Sequence, residues 1–400
     1  MEIREINKLG KDLELYTNAD YVGKGFPLFL PRGAKLDKIL KDFVNDLEAK
    51  AGYENVKTPC ASRSEIYKIE DRFDTDRKQM FIIRDVDVDE QTEKTEENQI
   101  ALKPYSSPFH CAIYNSASHT YKELPIKYSE RAVVFRNEDD IKGIRTTRQF
   151  TSCDNSIFTT IEELEEQIKE LIEMQLEITE KLGIDVEYTV NTWNTTKKEE
   201  YIGTIDEWDL VTNTMKKVLD NLDIKYGVTN KAKMYGPSIM TYYNRQKMQN
   251  LQVDFEITHR FDTKYITAEN EEKFPYYIHS NLIGSYERMI SILIEKYEGK
   301  FPFWLMPDQV IIIDDINDIS DKTYELEKAL LECGIRVKID KSSFNNKMKL
   351  EKAQNKYIPY IICINKDKLQ DDFVVVYHNN QTKDVKINEL IEEVKKCQKF

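Results

Sequence analysis

The sequence predicts an α+β domain built on an antiparallel sheet with flanking helices, followed by a small α/β domain, and three observations carry that prediction. In residues 1–305 the helical and strand-like segments do not alternate strictly, which suits an antiparallel sheet better than a doubly wound parallel one. From residue 306 onward short apolar strands and amphipathic helices alternate as in a compact α/β unit. Between the two, Pro302 and Pro307 bracket FPFWLMP and mark a boundary. The domains are therefore expected at 1–305 and 306–400.

Taken in order, residues 1–16 read as a short helix that leads to a glycine-rich entry at Gly23 and Gly25. Leu36, Ile39, Leu40, Phe43 and Leu47 recur at helical spacing, and Gly52 ends that helix before a strand running to Pro59. Residues 89–98, dense in Asp, Glu, Thr and Gln, read as a solvated loop. The apolar run 132–135 and the alternating run 149–158 predict two strands flanking a charged loop. Residues 161–182 form a periodic acidic helix whose charges suit a solvated face. Further strands are expected at 184–190, 251–257 and 264–267, and further helices at 206–222 and 281–297.

Length and composition bound the function. Four hundred residues are ample for a large core. With 58 Lys plus Arg against 71 Asp plus Glu, the net charge of -13 argues against a broad basic surface for nucleic acid, while leaving room for a local basic groove. From residue 306 on the signs nearly balance, about 16 basic to about 17 acidic, and Arg336 is the sole arginine. No apolar run reaches membrane-spanning length and the N-terminus has no signal-peptide core, so a cytoplasmic protein without membrane partners is expected. The six cysteines show no paired spacing and read as reduced thiols. P-loop, G-x-G-x-x-G, H-E-x-x-H and G-x-S-x-G patterns are absent, so a nucleotide, if bound, lies on a sheet. Arg136 and Glu138 sit where the first core strand opens, on one face, where they suit a phosphate and an amine donor respectively. The same pair fits an exposed cross-strand ion pair.

Separated stretches then form one pattern. GFPLFLPRGA with its helix and GYENVKTP resembles motif 1 of class II aminoacyl-tRNA synthetases, with Pro59 in the proline place; FRNE through TTRQFT resembles motif 2; and IHSNLIGSYERMISILIEKYEGKFPFWLMPDQV resembles motif 3 and the exit to the anticodon-binding domain. KPYSSPFH, YGPSIM and LQVDF are similar to segments of threonyl-tRNA synthetases, the family to which the whole pattern is especially close. The resemblance implies a class II antiparallel sheet carrying ATP with Mg²⁺, an amino acid beside it, and in-line attack of the carboxylate on the α-phosphate. It implies that Arg136 holds the α-phosphate, Glu138 reads the adenine amine, Phe150 stacks on the ring, Gln252 lies near the nucleotide and Arg288 meets the distal phosphates. Thr146 stands where motif 2 has an arginine, which leaves Arg145 and Arg148 as flanking candidates for the phosphates. Motif 1 helices pair subunits in this class, so a homodimer is expected.

The pattern departs from the family where that family binds zinc. The three ligand positions hold Ser107, Ser156 and His279, a poor set for a metal that wants thiolate or imidazole donors, so no zinc is expected. Asp154 and Tyr235 become the candidates for the substrate amine or a polar side chain, in a pocket shared with Ser107, Ser156 and His279 that suits a small or polar amino acid. The last domain lacks the family's anticodon-reading arginines, with Lys349, Glu351, Tyr377 and His378 at the corresponding places. Three functions follow as expectations. The first is a zinc-independent threonine-tRNA ligase. The second is an adenylate-forming relative that passes the aminoacyl group to tRNA or to another acceptor, such as a carrier-protein thiol or a small amine. The third is a non-catalytic binding or regulatory descendant.

Overall fold

A computed structural model describes residues 1–83, 99–314, 319–379 and 381–397, so the solvated loop expected at 89–98 lies outside the described residues. The chain forms two compact units, one of Met1–Tyr21, Pro27–Leu40 and Leu293–Phe400, the other of Val22–Phe26 and Lys41–Ile292.

The larger unit is built on an eight-stranded sheet. Its strands are β1 (Glu54–Asn55), β2 (Ile126–Phe135), β3 (Gln149–Thr159), β4 (Glu187–Asn191), β5 (Tyr226–Thr229), β6 (Ser238–Tyr243), β7 (Gln246–Asp254) and β8 (Tyr276–Asn281), in the order β5-β4-β6-β7-β8-β3-β2-β1. Only the two edge pairs, β1 with β2 and β4 with β5, are parallel; every inner pair is antiparallel. Alternation at period two sorts the residues of β7. Leu251 and Val253 are fully buried among apolar neighbours, whereas Asn250, Gln252 and Asp254 line a cavity. The helix Leu164–Lys181 covers the sheet with a stripe of Ile168, Leu171, Ile172 and Ile178, and turns its acids to solvent. Under it, Gln249 Nε2 of β7 donates to the Gln175 carbonyl and Gln175 Nε2 donates to the Asn250 carbonyl.

Two elements differ from the sequence reading for identifiable reasons. The strand expected at 251–257 begins at Gln246 and stops at Asp254, because Oδ1 of Asp254 accepts from the backbone N–H groups of Glu256 and Ile257 and turns the chain into a short helix. The helix expected from residue 281 starts at Tyr286, since residues 276–281 are recruited as β8 and Gly284 breaks the path with φ +73°. A Cβ at Gly284 would stand 2.4 Å from the carbonyl oxygen of Met248, so this crossing of backbones requires glycine.

The other unit holds a five-stranded sheet of β9 (Val310–Ile313), β10 (Val337–Ile339), β11 (Tyr360–Cys363), β12 (Phe373–His378) and β13 (Gln381–Lys386), in the order β10-β9-β11-β12-β13. Val310, Ile312, Ile362, Val374 and Val376 pack on one face against Leu326, Leu330, Leu390 and Val394. Buried Asp308 gathers Arg32, Lys35 and Lys338 at 3.1, 2.7 and 3.2 Å. Arg336 donates to the backbone carbonyls of Met306 at 2.9 Å and Trp304 at 2.6 Å, so its fork is spent inside the unit. Lys349 is 1% exposed and donates to the carbonyls of Asp314 and Asp340, and the His378 ring stacks on Tyr360 with centroids 4.0 Å apart. Among the described residues no helix is long and apolar enough to cross a membrane.

Candidate active site

A cavity of about 960 Å³ lies over the face of the eight-stranded sheet that carries Phe150, Gln252 and His279. Of the residues selected from the sequence, Arg136, Phe150, Gln252, Arg288, Ser107, Tyr235 and His279 line it; Glu138, Arg148, Asp154 and Ser156 do not.

At one end the cations collect. The backbone N–H of Arg136 donates to the Arg148 carbonyl just beyond β2, its Nε donates to the carbonyl of Pro104, and its guanidinium stands 5.4 Å from the centre of the Phe150 ring. Arg288 lies in the first turn of the helix Tyr286–Tyr297. Its backbone N–H donates to the Ser285 hydroxyl, and its Nε and Nη1 donate to the carbonyls of Arg145 and Lys247. Lys247 and Lys233 line the same end. Burial and then the charges of Arg136, Arg288 and Lys233 pull the Lys247 ammonium down to about 8, a shift moderated by the solvent around this exposed residue. Burial and Arg136 likewise lower Arg288. Like charges crowded in this way suit a polyanion, which would relieve their repulsion. Arg145 is buried with its Nε on Ser291, and Arg148 donates its Nε to the Glu138 carbonyl; neither side chain lines the cavity.

The other end is polar and partly anionic. Asp154 is 3% exposed, and its Oδ1 accepts from Ser152 Oγ at 2.5 Å and Asn281 Nδ2 at 2.6 Å, both of which line the cavity. His279 Nε2 stands 3.7 Å from the same oxygen. Burial works against ionisation of Asp154, but His279 and the Ser152 and Ser106 hydroxyls outweigh it and hold the carboxyl below its usual range. Ser156 lies deeper. Its hydroxyl is held between His110 Nδ1 at 2.7 Å and Tyr277 Oη at 2.6 Å, and His110 Nε2 continues to Glu130, which is bonded in turn to Thr58 and Lys103. This buried relay fixes the floor of the pocket. As a zinc set, Ser107, Ser156 and His279 do not fit: two neutral hydroxyls, one already doubly engaged, leave one imidazole. The thiol of Cys153 faces the opposite side of the sheet near Glu48, and Cys111 is buried beside Tyr114 and Phe158. Among the described residues no three or more His, Cys, Asp or Glu side chains gather as a metal site.

Sequence reasoning missed the strongest charge cluster in the cavity. Arg72 places Nη1 2.8 Å from Glu70 Oε1 and Nη2 2.5 Å from Asp254 Oδ2, with its guanidinium 3.5 Å from the centre of the Tyr235 ring. Burial lifts Glu70 to about 7, against the pull of Arg72. Burial disfavours the charge on Arg72, but Glu70 and Asp254 more than restore it. Polar alternation in LQVDF points Asp254 to the same face as Gln252 and was a usable signal. IEDRFDTDR offers only a dense run of charge.

Comparison with known proteins gives the family of the fold that carries this cavity. The family model described as tRNA synthetase class II core domain (G, H, P, S and T) matches residues 90–297, and the one described as anticodon binding domain matches 309–397. The threonine--tRNA ligase of Clostridium botulinum (strain Eklund 17B / Type B) is 35% identical over 93% of this chain and 58% of its own length. That of Streptococcus uberis (strain ATCC BAA-854 / 0140J) is 30% identical over 98% and 61%. The chain thus spans 58–61% of the length of these curated relatives. Among solved structures, the RNA binding domain of threonyl-tRNA synthetase from Cryptosporidium parvum Iowa II superposes with a TM-score of 0.86 at 26% identity, covering 98% of each chain. The putative threonyl-tRNA synthetase ThrRS-1 from Aeropyrum pernix, at 21% identity, a TM-score of 0.80 and coverage of 98% and 96%, shares the fold. With an antiparallel core matched over half its length and an anticodon-binding domain behind it, the chain belongs to the class II tRNA synthetase core family (G, H, P, S and T).

Proposed function

We propose that this chain activates a small or polar amino acid with ATP, without zinc, and passes the aminoacyl group to an acceptor. In this reading residues 1–305 are the catalytic domain and 306–400 the anticodon-binding-like domain. The observation that supports it is a single cavity with a cluster of four cations, Arg136, Arg288, Lys247 and Lys233, at one end and buried carboxylates at the other.

ATP arrives as its magnesium complex, which supplies charge neutralisation on the phosphates. A carboxylate oxygen of the amino acid attacks the α-phosphorus in line, the bond from that phosphorus to the bridging oxygen breaks, and pyrophosphate leaves. Positioning and charge suffice for this step, with no protein base. Arg136 takes the α-phosphate, Arg288 and Lys247 the distal phosphates, Phe150 the adenine ring, and Gln252 the nucleotide near the sheet. Glu138 and Arg148 hold the motif 2 loop and, for Glu138, the adenine amine. Asp154, Tyr235, Ser107 and His279 form the amino-acid pocket, with Ser156 as its support.

For the acceptor, the spent fork of Arg336 and the buried Lys349 favour a choice that does not depend on arginine readout of an anticodon. A carrier-protein thiol or a small amine answers that description. The relatives' name favours the second reading, a zinc-independent ligase of threonine and tRNA. Exchange of labelled pyrophosphate into ATP, run with each amino acid, tests activation, and absence of exchange with all of them sinks it. Charging of total tRNA by the active amino acid then separates the two acceptors. We further read the protein as a cytoplasmic homodimer; a monomer by light scattering at micromolar concentration contradicts the dimer.

A further inference from the structure

We propose that the amino-acid end of the cavity selects an α-amino acid carrying a second, cationic nitrogen, and that Glu70 receives it; the inference rests on the activation reading and narrows its substrate.

Glu70 is 2% exposed and lines the cavity, and beyond the Arg72 contact to Oε1 its carboxylate has the neutral Tyr105 phenol as its hydrogen-bonding neighbour among the described residues. Arg72 is the nearest cation and is already divided. It gives Nη1 to Oε1 of Glu70, Nη2 to Asp254, and its face to Tyr235. Asp254 is satisfied, since its remaining oxygen accepts two backbone N–H groups. Two carboxylates on one guanidinium leave a surplus of one negative charge at Glu70 when it is ionised. Of the other groups that act on it, the Tyr105 phenol gives a neutral hydrogen bond and Asp76 adds negative charge, so neither supplies a cation.

A second buried carboxylate lies behind the lining, held there by His279, Ser152 and Ser106. It is Asp154, and the Ser152 and Asn281 side chains that hold its Oδ1 line the same cavity as Glu70. A buried carboxylate answered mainly by neutral donors is costly, and a cation answers it best. The ammonium of an ordinary α-amino acid satisfies one of the two. A hydroxyl side chain offers the other a single hydrogen bond and no charge. A side-chain ammonium offers both, and it would favour the ionised form of Glu70, which burial opposes.

Pyrophosphate exchange with the full chain tests this, with L-2,3-diaminopropionate, L-2,4-diaminobutyrate and ornithine set against serine, threonine, homoserine and 2-aminobutyrate. The expected result is a kcat/KM at least ~10-fold higher for one of the diamino acids than for every neutral one, a ratio that falls ~10-fold or more in Glu70→Gln and is kept in Glu70→Asp. A ratio near unity, or one that Glu70→Gln leaves unchanged while the variant melts as the parent does, overturns the inference and leaves activation standing. Thermal shift with each amino acid alone separates the remaining cases. No exchange with any amino acid, but stabilisation by a diamino acid that Glu70→Gln abolishes, sinks the activation reading and keeps the pocket assignment. Neither exchange nor stabilisation overturns both.

Discussion

Arg131 and Glu48 form a two-point ion pair on the face of the sheet turned away from the cavity, with Nη2–Oε2 at 2.6 Å and Nη1–Oε1 at 3.1 Å. Glu48 is fully buried and also accepts from Asn155 Nδ2 at 2.7 Å. Glu48→Ala leaves the arginine charge uncompensated beneath the sheet and is expected to cost about 3–5 kcal/mol of stability. Urea melts of the parent and variant measure it. Adding Arg131→Met to Glu48→Ala recovers part of the loss, because the stranded charge is gone.

Arg288 offers the cleanest separation of chemistry from stability. It is anchored by its own backbone and by carbonyls, with the charges of Glu138 and Glu287 acting on it at a distance. Arg288→Ala is expected to lower the exchange rate by about 100- to 1000-fold, as for other lost electrostatic contacts to a transition state. Circular dichroism and melting should remain near those of the parent.

Nucleotide affinity should depend on Lys247. With its ammonium near 8, the residue supplies a fourth cation below that pH and loses it as pH rises through that value. Bound phosphates favour the charged form and lift the pKa again, so binding takes up protons near pH 8. Affinity for ATP is therefore full on the acid side and declines a few-fold by about pH 9. Calorimetry in buffers of different ionisation heat reads the proton uptake, and Lys247→Met should abolish both the uptake and the slope.

Chelation gives a different check. Removal of transition metals with a zinc chelator in excess magnesium is expected to leave exchange unchanged, and elemental analysis should find well under one zinc per chain. Loss of activity on chelation, restored by zinc, would contradict the donor chemistry of Ser107, Ser156 and His279.

Much of the architecture was legible because it rests on local pattern. The β2–β3 hairpin follows from alternation at 149–158, and the same period puts Cys153 on the face opposite Ser156. Depth was not legible. Asp154 and Ser156 share a face, yet one holds cavity-lining side chains while the other is locked under the floor by His110, a residue 46 positions away. Strand β8 was hidden because residues 276–281 gain their ladder from distant Val253 and Ile157. Arg72 was hidden for the same reason: its meaning comes from Asp254, 182 positions later.

The opposed ends of the cavity amount to a fixed electric dipole, with its positive pole at Arg136, Arg288 and Lys247 and its negative pole at Glu70 and Asp154. A free amino acid is itself a dipole at neutral pH. In the activation reading, such a field would exert a torque on it before any contact forms, turning the carboxylate toward the cationic pole and the ammonium away. Reversal of the molecule end for end would set both of its charges against like charges. In that reading the field sorts productive from unproductive orientation on entry, and neutralising either pole is expected to slow capture as well as weaken binding.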